Sequence, residues 1–171
     1  MPVEHLLKAY ALLERITPLP VDCGKFCSRA CCKGDSQTGM ELFPYEDMLL
    51  KGKKDFSILP AENIEKYGLC VCEGFCRREE RPLACRIFPF FPLVYTNKRT
   101  GRLEIRIIQD PRGRSLCPLV QQDIPPQPIF ERRLRRATRI LLKDPVLREY
   151  ILKTGSFLMD IEAFRRKLIK T

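Results

Sequence analysis

A chain of 171 residues with 44% apolar side chains has room for one domain with a real core and too little length for two full-sized ones. Nine cysteines are far more than packing needs, so something is expected to bind the thiols. Their odd number and an N-terminus that lacks a signal-like apolar run argue against a disulfide framework. They favour a reducing, cytoplasmic setting where clustered cysteines hold metal, and no run approaches the roughly 18 apolar residues of a membrane span.

Residues 3 to about 16 carry Val3, Leu6, Leu7, Tyr10, Leu13 and Ile16 at helical spacing, and the pattern stops before Thr17-Pro18-Leu19-Pro20. His5, the single histidine, lies here and reads as a surface or packing residue, so a metal site has to be made almost wholly of cysteine. Cys23, Cys27, Cys31 and Cys32 follow as C-x3-C-x3-C-C, with Gly24 and Gly34 permitting tight turns. Adjacent side chains usually point apart, so Cys31 and Cys32 are expected to serve two centres, or one of them to be no ligand. Residues 35–39 form a loop. Helical patterning resumes from Glu41 to Leu50, with Pro44 in the first turn and Glu46 and Asp47 as surface acids near the positive end, oxygen ligation of a metal being the alternative. A short helix after Pro60 is expected within 58–67.

The segment CRREERPLACRIFPFFP, from Cys76 to Pro92, is the centre of the chain. Proline fixes φ, so the Arg81-Pro82 turn is expected to aim the Cys76 and Cys85 sulfurs without a regular helix or strand, while Phe88, Phe90 and Phe91 exclude water. Phe91 to Thr96 and Arg102 to Gln109 read as a hairpin, with Leu103, Ile105 and Ile107 alternating with Glu104 and Arg106. It returns Cys117 towards the other thiols. Beyond a proline-rich connection, helices are expected at 129–142, 145–153 and 156–169, with Phe157, Ile161, Phe164 and Leu168 packing on the cysteine-rich body. Much of the +10 net charge sits here, at Arg132, Arg133, Arg135, Arg136 and Arg139. Contact with nucleic acid or an acidic protein is one reading; a solvated helix face, with arginines balancing thiolate charge, is the other.

In the order of its cysteines and in the block Arg81-Pro82-Leu83-Ala84-Cys85-Arg86-Ile87-Phe88-Pro89, the chain resembles the YkgJ-like cysteine-cluster family of zinc- or iron-chelating proteins over roughly residues 20–120. The resemblance implies metal ligation by Cys23, Cys27, Cys31, Cys32, Cys70, Cys76, Cys85 and Cys117. The first cluster departs from the family's x2, x2 spacing, and Cys72 has no counterpart, so Cys70 and Cys72 are interchangeable in this assignment. A similar cluster in flagellin lysine N-methylases implies an iron–sulfur alternative.

The expected architecture is α+β: one domain, 1–171, with a small irregular metal-stabilised cysteine-rich core at 20–120 that contains a β-hairpin and is packed by N- and C-terminal helices, the basic part being 125–171. Zinc is the first expectation for the cofactor, since two four-thiolate sites use eight cysteines; a [4Fe–4S] cluster is the alternative. Lys25, Arg29, Lys33, Arg77 and Arg86 are candidates to moderate the negative charge of either. A metal-binding protein without catalysis of its own is the leading reading. The alternatives are an iron–sulfur enzyme and a metallated adaptor acting through its basic helices. No glycine-rich nucleotide loop, histidine base or radical-adenosylmethionine C-x3-C-x2-C motif is present to assign catalytic residues.

Overall fold

The computed structural model describes residues 3–33, 39–59, 67–72 and 74–169. Gly34, most of the expected loop at 35–39, and the segment after Pro60 through 66 lie outside the described residues. The fold is α+β.

Helix α1 (Val3–Leu13) ends earlier than its apolar spacing suggests, and buries Leu6, Ala9 and Leu13. That face lies against α5 (Pro128–Leu141), which contributes Phe130, Leu134, Ala137 and Leu141. Each fully buried side chain of this size stabilises by roughly 1.5–3 kcal/mol, so the α1–α5 seam anchors the fold independently of any metal. The hairpin forms as expected, from β4 (Phe90–Thr96) and β5 (Leu103–Gln109), with α5 along β5 and α6 (Pro145–Ile169) across β4.

Three expectations need correction. Only Glu46–Leu50 (α2) is helical in the stretch expected from residue 41, because Met40–Glu41 is instead strand β1 and Pro44 precedes the helix rather than entering it. Strands β2 (Phe56–Leu59) and β3 (Leu69–Cys72) were not legible in the alternation. They form with β1 an antiparallel sheet of order β1-β3-β2. The RPLACRIFP block does contain regular structure: Leu83–Ile87 is the one-turn helix α3.

The last correction concerns α6, which runs unbroken through Gly155. A Cβ there would stand 3.2 Å from Leu93 Cδ1, so the glycine permits close approach to the hairpin rather than a break. The helix packs through Leu147, Ile151 and Leu158, whereas Phe157, Phe164 and Leu168 are 54%, 65% and 61% exposed. Only Ile161 of the expected stripe packs on the core. The close approach at Gly155 selects the buried face, and the phenylalanine stripe lies to one side of it.

Candidate metal centre

Six cysteines from four separate stretches line one cavity of about 370 Å3: Cys31, Cys32, Cys70, Cys72, Cys76 and Cys85. Each arrives by a local rule. Ser28 and Arg29 both adopt positive φ, at 49° and 57°, and this double left-handed step leads into the tight turn Ala30–Cys32. Side chains two apart on a strand share a face, so Cys70 and Cys72 of β3 both reach the cavity. β3 is the central strand, with Cys70 opposite Met40 on one side and Ile58 on the other. Cys70 and Cys76 are themselves buried in a small apolar cluster with Leu42, Leu50 and Phe56.

Cys85 sits on α3, and α3 is held by a buried carboxylate. Glu46 is fully buried; its Oε1 accepts from the Leu83 amide at 2.5 Å and from the Tyr10 hydroxyl, and its Oε2 accepts from the Phe43 amide at 2.7 Å. A surface acid was expected here. The amide of α3's first residue and the Tyr10 hydroxyl consume its hydrogen-bonding capacity, and burial pushes its pKa up to about 7. The only cue in the sequence was Glu46 in an otherwise apolar Leu42-Phe43-Pro44-Tyr45 setting.

Arg86 also does other work than expected. It is 3% exposed, stacks 4.5 Å over the Tyr10 ring, and donates to the carbonyls of Glu79 and Arg81 at 2.8 and 2.9 Å. Its guanidinium ties the loop before α3 to α1. Arg77 pairs with Asp55 and Glu80, and Arg29 lies over the Phe75 ring. The cations at the cavity are Lys33, Arg81 and Arg112, of which only Lys33 was anticipated. Burial works against the Arg81 charge, but the adjoining Cys76 and Cys32 sulfurs outweigh it and hold its pKa above the ordinary value. Arg81 Nε is buried with no partner among the described residues.

The thiols affect one another strongly. The Cys31 sulfur, 4.0 Å away, raises Cys32 to about 12, with burial and Cys72 adding to the effect. Burial, with Cys72 and Cys76, raises Cys70 to about 12. A hydrogen bond with Cys32 and burial raise Cys76 as well. Cys85 is half-buried as a residue because it opens on the cavity, yet its sulfur is enclosed by protein and its pKa lies well above the ordinary range. Such crowded sulfurs favour protonation in the absence of a cation, and a metal reverses that preference.

Cys23, Cys27 and Cys117 form a second, smaller group outside this cavity. Burial, then Cys27, Asp22 and Cys117, raise the Cys23 thiol, and Arg81 acts on it from the other side. Cys27 Sγ lies 3.7 Å from the Cys23 carbonyl, while Cys117 precedes the short helix Pro118–Gln121 (α4). The eight ligands implied by the sequence resemblance therefore divide five and three, and Cys72 joins the five. Cys31 and Cys32 both line the cavity. Among the described residues, no three His, Cys, Asp or Glu side chains meet tightly enough around one point to close on a single ion. His5 Nδ1 is buried on α1 without a partner among those residues.

Of the basic residues on α5, Arg135 pairs with Glu131 at 2.6 Å and Arg133 is half-buried; Arg132, Arg136 and Arg139 are exposed. No helix among the described residues is long and apolar enough to cross a membrane. Compared with known proteins, the chain matches no family model, no curated protein and no solved structure.

Proposed function

We propose that the protein is a metal-binding protein of the reducing cytoplasm whose cysteine-lined cavity holds an iron–sulfur centre, with Cys32, Cys70, Cys76 and Cys85 as its ligands and Cys31 and Cys72 beside them. One observation carries this reading: six thiols from stretches up to 54 positions apart, Cys31 to Cys85, surround a single space of about 370 Å3. Packing alone gives no reason to gather them.

The size and spread of the donor set favour a cluster over a lone zinc ion. Four thiolates around zinc converge on one point at about 2.3 Å, whereas a [4Fe–4S] cube takes its thiolates at four separate corners. Thiols standing around a cavity suit the second arrangement. The motif likeness to the YkgJ-like family and to the flagellin lysine N-methylases agrees with such chemistry. When bound, the centre supplies one-electron transfer or a fixed anionic scaffold.

The chain's own residues supply the rest. Arg81 and Lys33 offset thiolate charge, Arg112 being paired with Asp110 at 2.7 Å, and Phe56, Leu69, Phe88 and Leu116 limit access of water. Glu46 and Tyr10 fix α3, and so the direction of Cys85.

Serine replacement tests the assignment, with metal content and solubility as readouts. Cys70→Ser, Cys76→Ser and Cys85→Ser are expected to lower bound metal and solubility together, because a lost ligand removes folding energy. Cys27→Ser leaves the cavity's metal in place. Full metal retention by the three cavity variants contradicts the reading.

A further inference from the structure

A second concave site lies between β5 and α5, where neither cysteine group contributes. It is an open groove of about 490 Å3, within the size range of small-molecule sites, and three guanidinium groups line it: Arg106 from the hairpin, with Arg135 and Arg139 one turn apart on α5. Tyr95, Leu103 and Leu142 give it apolar walls, and Tyr95 and Leu103 are 41% and 56% exposed.

The charges in this groove are not balanced from within. Arg135 is fixed, its Nε and Nη2 on Glu131 Oε1 at 3.2 and 2.6 Å and its Nη1 on the Ile105 carbonyl. Glu104 is the one carboxylate among the described lining residues; its Oε2 accepts from the Tyr95 hydroxyl at 2.8 Å and its Oε1 from the Asn97 amide at 2.6 Å, neutral donors that stabilise its charge, so one negative charge stands in the groove against three guanidinium groups. Among the described residues, no carboxylate pairs with Arg106 or Arg139.

We propose that this groove binds a small phosphorylated molecule with an apolar or aromatic body, of the nucleotide kind. Arg106 and Arg139 take the phosphate oxygens, Arg135 stiffens the wall, and Tyr95, Leu103 and Leu142 cover the body. Planar guanidinium forks suit phosphate geometry, and guanidinium groups outnumber carboxylates in the groove, which favours an anion. A nucleic-acid track would string its cations along an open face. Here Arg132, Arg133 and Arg136 stay outside, and the three that line the groove stand beside apolar walls.

Isothermal titration calorimetry on the full chain tests this, with ADP, adenosine and inorganic phosphate as probes. ADP is expected to bind, adenosine not to, and inorganic phosphate to displace ADP. Arg106→Ala and Arg139→Ala each weaken ADP by about tenfold or more, while Arg132→Ala, on the same helix but outside the groove, changes it by less than about twofold. Both target side chains are exposed, and circular dichroism checks that the variants fold. No ADP binding at millimolar concentration, or an equal loss in Arg132→Ala, overturns the proposal. So does an oligonucleotide that binds more tightly than ADP and is weakened by all three substitutions alike, which assigns the charge to an open nucleic-acid face. None of these outcomes depends on what the cysteine cavity holds.

Discussion

Glu46 is the residue whose role departs furthest from its sequence context, and its chemistry makes a pH prediction. Its folded-state pKa, raised by burial from 4.5 to about 7, means that the folded chain keeps a proton the unfolded chain has lost. Between these values stability therefore falls as pH rises; this contribution is fully present below about 4.5 and gone above about 7. The groups that feel the carboxylate are Tyr10, Arg86, Cys70, Cys85 and Tyr150. Glu46→Gln removes this part of the slope and leaves at least one buried donor poorly matched, lowering stability by about 1–3 kcal/mol. Urea unfolding between pH 4.5 and 7.5 measures both, and a slope unchanged in the variant contradicts the assignment. Among the cysteines, Cys85→Ser costs metal and solubility, whereas Cys72→Ser, outside the proposed ligand set, has a much smaller effect on both. A large loss at Cys72, read by metal analysis, moves it into the ligand set. That Cys72 reaches the cavity at all follows from strand β3, which sequence periodicity did not expose.

At the scale of elements, legibility followed periodicity. The hairpin's alternation and the 3.6-residue stripe of α1 were plain, because one face of each is buried and the other wet. Strands β1, β2 and β3 are only two to four residues long, and β3 reads Leu-Cys-Val-Cys with no polar face, so no alternation betrays it. Two helices were expected where α6 runs unbroken, because the role of Gly155 lies in Leu93 across the interface, which local pattern does not contain. The short sheet makes its own prediction. A Cβ on Gly39 would stand 2.4 Å from the Cys70 carbonyl oxygen, a backbone atom that cannot swing aside. Gly39→Ala thus displaces β1 or β3, costs about 2 kcal/mol in thermal or urea unfolding, and disturbs Cys70 with it. Wild-type stability and full metal content in Gly39→Ala contradict that packing.

Over the whole molecule, two kinds of core coexist. The larger joins α1, the hairpin, α5 and α6 through ordinary apolar contacts, while the smaller mixes Leu42, Leu50 and Phe56 with Cys70 and Cys76. The first accounts for a chain that folds around helices; the second leaves sulfurs to be satisfied. The exposed stripe of α6 belongs to neither, so Phe164→Ala is expected to change stability by less than about 0.5 kcal/mol, as thermal unfolding will read. The cysteine spacing foretold that thiols gather, but their division into a cavity set and a Cys23, Cys27 and Cys117 set depends on long-range pairing that spacing does not encode. The central claim is that the cavity set holds an iron–sulfur centre. It is tested most directly by iron, acid-labile sulfide and zinc analysis, with a visible spectrum, on protein purified without oxygen. The account predicts iron and sulfide in equal amounts, roughly four of each per cluster, and a broad band near 400 nm that Cys85→Ser diminishes. Stoichiometric zinc, no iron and no visible absorption would contradict it.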